Sequence, residues 1–173
     1  MARQQKPRHS HRVFSAPNFV TSAGTIILQR EERRVVVLSD LKASRLFFPK
    51  GRMESGESLE ATALREAFEE TGYRASLIPI RPRHETHPRP LLMHVRSLQP
   101  GHPQRPLGQG PTEKVIYYFV GLWDGADRVL GTQLSYEHYL VHCLDFEEAR
   151  RKMRGPERES LEAALHVFEQ LYE

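Results

Sequence analysis

Three glutamates, Glu66, Glu69 and Glu70, share one short stretch of the chain at helical spacing, and they constrain it more than any other feature. Residues Ser58 to Thr71 read as a helix, with Ser58 as its N-cap and Gly72 as its stop. Ala61, Leu64, Phe68 and Thr71 recur at helical spacing and predict a buried stripe. On a wheel of about 100° per residue, that stripe centres on Leu64 and leaves the three glutamates together on the opposite side. Carboxylates three and four residues apart repel one another. A helix that keeps three of them adjacent either solvates an acidic face or holds a hard divalent cation, which prefers oxygen ligands.

The residues around the trio favour the cation. Phe48-Pro49-Lys50-Gly51-Arg52 ends a short strand (Arg45 to Phe48) and aims a lysine and backbone groups at the start of the helix. Glu57 precedes the helix and Arg65 lies within it, so a Glu57–Arg65 pair can tie the loop to the helix. Elsewhere, Val20 to Leu28, Val35 to Leu38, Ala75 to Ile80, Val115 to Trp123 and Tyr139 to Leu144 read as strands. Gly24 in the first of them predicts a bulge or a close backbone approach. Helices are expected from Asp145 to Met153 and from Glu157 to Tyr172, the latter with Leu161, Leu165, Phe168 and Tyr172 on one face. The mixture is an α/β or α+β sandwich. Residues 1–17, basic and polar, read as a disordered arm, and 18–173 as one domain.

The net charge of +3 is unevenly placed. Residues 1–12 carry four cations and no acid, residues 74–112 carry six arginines against Glu85, and the remainder is net acidic. The arm contains no aromatic residue, which leaves nucleic-acid binding weakly supported. No apolar run approaches the roughly 18 residues of a membrane span. The single cysteine, Cys143, sits in an apolar run and reads as a core residue, in keeping with a reducing compartment. A cytoplasmic or nuclear monomer is the expectation, with secretion only if a signal peptide has been removed.

The segment Gly51 to Tyr73 resembles the Nudix box: Gly, five residues, Glu, seven residues, Arg-Glu, an apolar residue, any residue, Glu-Glu, any residue, Gly and an apolar residue. Every fixed position matches. The resemblance implies an α/β/α sandwich with a mixed central β-sheet, and hydrolysis of a phosphoanhydride bond. It implies Mg²⁺ or Mn²⁺ as cofactor, with Glu66 and Glu70 as principal ligands and Glu69 as a further ligand or the base that orients water. The Gly51 carbonyl would complete the metal shell, and Glu57 and Arg65 would support the ligands from behind. The intact carboxylate set argues against a catalytically inactive polyanion-binding module.

The box does not set the substrate. Phe48-Pro49-Lys50-Gly51 is similar to the same stretch in diadenosine-polyphosphate and diphosphoinositol-polyphosphate hydrolases. In the proline-dense run from Arg81 to Pro111, five of the nine residues from 81 to 89 are basic or can become so: Arg81, Arg83, His84, His87 and Arg89. Arginine forks and histidines are suited to clamping dense phosphate charge. Lys42, Arg45, Lys50, Arg52 and Lys114 can join that ring. This favours an inositol pyrophosphate as the small polyanionic substrate. A dinucleoside polyphosphate is second, because Tyr117, Tyr118, Phe119, Tyr136 and Tyr139 are available for stacking. Capped RNA follows. Strand alternation puts Tyr117 and Phe119 on one face and Tyr118 on the other.

Overall fold

The computed structural model describes residues 13–15, 18–41, 45–80, 87–98, 112–123, 125–136 and 138–172. The elements in chain order are β1 (Phe19–Gln29), β2 (Arg34–Asp40), β3 (Leu46–Phe47), β4 (Lys50–Arg52), α1 (Leu59–Thr71), β5 (Ala75–Leu77), β6 (Leu92–Leu98), β7 (Thr112–Trp123), β8 (Tyr139–Asp145), α2 (Phe146–Lys152) and α3 (Gly155–Tyr172). The strands join in one sheet with the path β3-β2-β1-β7-β5, while β4 pairs with β1, β6 with β7 and β8 with β2. β1 and β7 run parallel in register from Phe19↔Glu113 to Leu28↔Leu122, and every other pairing is antiparallel. The sheet is therefore mixed.

Alternation along β1 and β7 sends side chains to two layers. Ile26, Leu28, Ile116, Tyr118 and Val120 face α2 and α3, where they pack with Leu161, Leu165 and Phe168. Ala23, Ile27 and Phe119 face the other way and meet Ala63 and Ala67 of α1. The result is an α/β/α sandwich. Tyr118 and Phe119 are core residues on opposite faces, and Tyr117 packs beside Phe119. Cys143 is only half buried, on β8 opposite Val36, and burial pushes its thiol up.

Helix α1 lies differently from the wheel. Ser58 caps it, its side chain accepting from Ala61 N–H, and Gly72 ends it at φ 75°. The face against the sheet, however, holds Thr62, Ala63, Glu66, Ala67, Glu70 and Thr71. Ala61 is exposed, and Leu64 and Phe68 are half buried, so the expected stripe is displaced. Two small residues explain the displacement: Ala63 and Ala67 let the helix axis come close to β1, and Thr25 Oγ1 donates to Ala63 O at 2.9 Å. Phe68 is covered by the Arg74 guanidinium, 4.4 Å from the ring centre, instead of by the sheet.

Three strand readings also change. β4 was not foreseen, because three residues around a glycine carry no strand pattern. β5 stops at Leu77, before Pro79, and not at Ile80. Within the proline-dense run, β6 extends from Leu92 to Leu98, because β7 pairs with it along its whole length. The basic arm at residues 1–12 and the loop residues 81–86 and 99–111 lie outside the described residues.

The close approach expected at Gly24 is present. A β-carbon there would fall 2.3 Å from Pro49 O, 2.7 Å from Lys50 Cβ and 2.9 Å from the Tyr118 ring. Gly24 is what lets β4 lie flat on β1. We expect Gly24→Ala to lower stability by ~1–3 kcal/mol, the usual scale of overpacking, and a urea melt with unchanged slope checks it.

Candidate active site

The floor of the site is the meeting of β4 with the buried face of α1. Glu70 Oε2 accepts from the backbone N–H of Lys50 at 2.7 Å. The Glu66 carboxylate lies against the α-carbon of Gly51, so close that a β-carbon there would be 2.0 Å from its atoms. Glu66 and Glu70 are 8% and 2% exposed, which is rare for carboxylates and requires compensation.

Arg65 supplies much of it. All five of its N–H donors are used. Nε donates to Glu57 Oε1 at 2.7 Å and Nη2 to Glu57 Oε2 at 2.9 Å, a bidentate fork. Nη2 also donates to Arg52 O at 2.9 Å, and Nη1 donates to Glu66 Oε1 and Glu69 Oε2, both at 2.9 Å. Glu57 in turn accepts from Glu54 N–H and Thr62 Oγ1. The hydrogen bonds from Arg65 lead in holding the Glu57 carboxyl down at about 2, and its hydrogen bond to Glu57 leads in pushing the guanidinium up. The expected Glu57–Arg65 pair thus exists and locks the loop after β4 to the helix.

A cleft of about 720 Å³ opens above this floor. Lys50, Arg52, Lys114 and the carboxylates Glu66, Glu69 and Glu70 line it. Leu134, Tyr136, Tyr139 and Met53 form an apolar and aromatic wall. Tyr139 meets Phe47 edge-on at 5.2 Å, and the Lys50 ammonium lies 4.8 Å over the Phe47 ring. Lys114 is 7% exposed. Burial, followed by the nearby Lys50, Arg96 and Arg52, pushes its ammonium down to about 8.

The structure therefore brings Lys50, Gly51, Arg52, Arg65, Glu66, Glu69, Glu70 and Lys114 together, with Glu57 behind them. It does not bring Arg45, which turns to Glu157 of α3 beside a separate hollow. His87 and Arg89 are exposed and line no part of the cleft. Lys42, Arg81, Arg83 and His84 lie outside the described residues. Leu134 and Met53 were missed by sequence reading. The signal for Leu134 was there in outline: apolar Val129, Leu130, Leu134 and Tyr136 within a polar glycine-containing stretch.

An oxygen-only donor set gathered on a backbone cradle fits a hard divalent cation. As placed, no three acidic, histidine or cysteine side chains among the described residues form a ready-made metal cage. The Arg65 guanidinium stands between Glu66 and Glu69. It balances charge that a cation would otherwise balance.

The NUDIX domain family model matches residues 18–165. A candidate nudix hydrolase 1 of Caenorhabditis elegans is 31% identical over 72 residues, covering 40% of this chain and 20% of that protein. The matched region thus spans about a fifth of that curated relative. Among solved structures, a NUDIX hydrolase from Nitrosomonas europaea superposes with a TM-score of 0.57 at 14% identity, over 88% of this chain and 90% of the other. The C. elegans Ap4A hydrolase, solved as a binary complex, gives a TM-score of 0.58 at 20% identity, over 88% and 99%. These likenesses establish the fold.

Lys114 gives a test of the electrostatics. Its ammonium is disfavoured by folding, so between about 8 and its ordinary 10.5 the unfolded chain holds a proton that the folded chain has released. Stability from this group rises with pH across that window and is lowest below it. In the metal-free protein, Lys114→Met is expected to raise stability at pH 7 by ~1–3 kcal/mol. The gain should vanish as the pH of the melt approaches 10.5.

Proposed function

This chain belongs to the NUDIX domain family, and from that premise we propose that it is a divalent-metal-dependent hydrolase of a phosphoanhydride bond in a small polyphosphorylated substrate. The observation that carries the reading is the placement of Glu66 and Glu70. They are buried on the Lys50–Gly51 backbone at the floor of a cleft with a cationic rim.

Glu66, Glu70, Glu69 and the Gly51 carbonyl would hold Mg²⁺ or Mn²⁺. Such an ion, when bound, neutralises diphosphate charge and lowers the pKa of a bound water. The protein's own groups do the rest. Lys50, Arg52 and Lys114 attract and orient phosphate oxygens. Glu69 has the most exposed side chain of the three, at 31% against 10% for Glu66, which supports it as the group that would orient water from the cleft side. Arg65 fixes the spacing of Glu66 and Glu69 through its Nη1 group.

Two substrate classes rest on different parts of the chain. An inositol pyrophosphate fits the basic series Arg81, Arg83, His84, His87 and Arg89. A dinucleoside polyphosphate fits the described cleft better, because a ring of fixed cations alone would not need the wall of Leu134, Tyr136 and Tyr139. We take the dinucleoside class as the reading the geometry favours. The C. elegans Ap4A hydrolase of the same fold is a protein named for such a substrate. Among the described residues no helix is long and apolar enough to cross a membrane. Action as a cytoplasmic monomer completes the proposal.

Glu66→Gln and Glu70→Gln should each cut turnover by roughly 10²–10³-fold, the scale of a few kcal/mol of lost charge stabilisation, with circular dichroism unchanged. Wild-type rates in either variant would sink the assignment. A panel of Ap4A, an inositol pyrophosphate and capped RNA separates the substrates. Tyr136→Ala should raise KM for Ap4A about fivefold, a stacking loss of ~1 kcal/mol, and leave that for the inositol compound alone. A KM rise confined to the inositol compound on neutralising Arg81, Arg83 and Arg89 would reverse the ranking.

A further inference from the structure

The last turn of an α-helix exposes carbonyls that need donors from elsewhere. At the end of α1 they are supplied by the stretch between β7 and β8. Arg128 Nε donates to Thr71 O at 2.8 Å, and Val129 N–H donates to Gly72 O at 2.9 Å. Gly72 has no room for a side chain, since a β-carbon would fall 1.9 Å from Val129 O. Five residues on, Gln133 Nε2 donates to Glu70 O at 2.8 Å and also to Tyr139 O at 3.0 Å. Its Oε1 accepts from Tyr139 N–H at 3.1 Å.

One amide thus grips two sides of the cleft. Glu70 is held at both ends, its carboxylate by Lys50 N–H and its carbonyl by Gln133. Tyr139 opens β8 and contributes its ring to the aromatic wall, and both its backbone groups go to the same Gln133 side chain. Leu134 and Tyr136 of the wall lie in the chain between Gln133 and Tyr139. A glutamine that spends its donors and its acceptor on two separate elements is doing more than capping a helix. Arg128, by contrast, caps the same helix through Thr71 O.

We propose that Gln133 is a positioning residue that fixes the distance between the carboxylate floor and the aromatic wall of the cleft. It sets both the aim of Glu70 and the width of the slot offered to the substrate's ring. The inference rests on the reading of Glu70 as a metal ligand. It explains how wall residues on a stretch with little secondary structure are tied to the acidic floor.

The test compares Gln133→Met, which keeps length and loses every hydrogen bond, with Gln133→Glu, which keeps only the acceptor for Tyr139 N–H. Arg128→Ala serves as the control for simple helix capping. The probe is Mn²⁺ alone, titrated calorimetrically into metal-free protein without substrate, with Tm recorded for each variant. Both Gln133 variants should bind Mn²⁺ about tenfold more weakly, the scale seen when a ligand's supporting hydrogen bond is lost. Arg128→Ala should lower Tm and leave Mn²⁺ affinity within twofold of wild type. With Ap4A, the Gln133 variants should also show a raised KM. Wild-type Mn²⁺ affinity in the folded Gln133 variants overturns the proposal. So does an equal loss in Arg128→Ala, or a wild-type protein that binds no Mn²⁺. If no substrate in the panel is turned over but Mn²⁺ affinity still separates Gln133 from Arg128, the hydrolase reading fails and this one stands.

Discussion

The structure depends on how closely a three-residue strand approaches a helix. β4 lies on β1 because Gly24 has no side chain, and the Glu66 carboxylate lies on β4 because Gly51 has none. Between those two absences the Lys50 N–H reaches Glu70. A β-carbon at Gly24 would push β4 off β1, and one at Gly51 would push the Glu66 carboxylate of α1 off β4. The rest of the sandwich can be seen as support for this contact: the parallel β1–β7 pair holds β1 straight, and Ala63 and Ala67 set α1 at the required depth.

Burying two carboxylates beside a third costs stability, and Arg65 is the local compensation. Its five donors reach three glutamates and one carbonyl. A buried ion network of this kind is weak evidence for stability in itself, because desolvation offsets most of the attraction. Its value is geometric. It keeps Glu66 and Glu69 apart by one guanidinium, beside the floor where a cation would bind, with Glu57 anchoring the other side of the fork. Lys114, buried among Lys50, Arg52 and Arg96, carries the opposite strain: positive charge gathered out of water.

Much of this was legible in the sequence, and the reasons are local. Caps at Ser58 and Asp145 and the stop at Gly72 act within one turn, so helix ends could be read directly. The Glu57–Arg65 pair follows from spacing. The orientation of α1 was not legible, because periodicity weighed Leu64 and Phe68 as core while the sheet selected small alanines and two glutamates. β4 was invisible because its existence depends on Gly24 in another strand. The grip of Gln133 joins residues 63 and 6 positions away, and no local pattern signals it. The aromatic wall was half seen: Tyr136 and Tyr139 were candidates, but so were Tyr117, Tyr118 and Phe119, which the sheet uses as core.

The central claim is that the acidic floor is a cation site held ready by the fold. Binding to the folded chain alone must then stabilise it, by ~3 kcal/mol at a hundredfold excess over the dissociation constant. The direct measurement is the melting temperature of metal-free protein against Mg²⁺ concentration, for the wild type and for Glu70→Gln. The account predicts a steady rise for the wild type and a flat line for the variant. A wild-type melting temperature indifferent to Mg²⁺, or the same rise in both proteins, would contradict it.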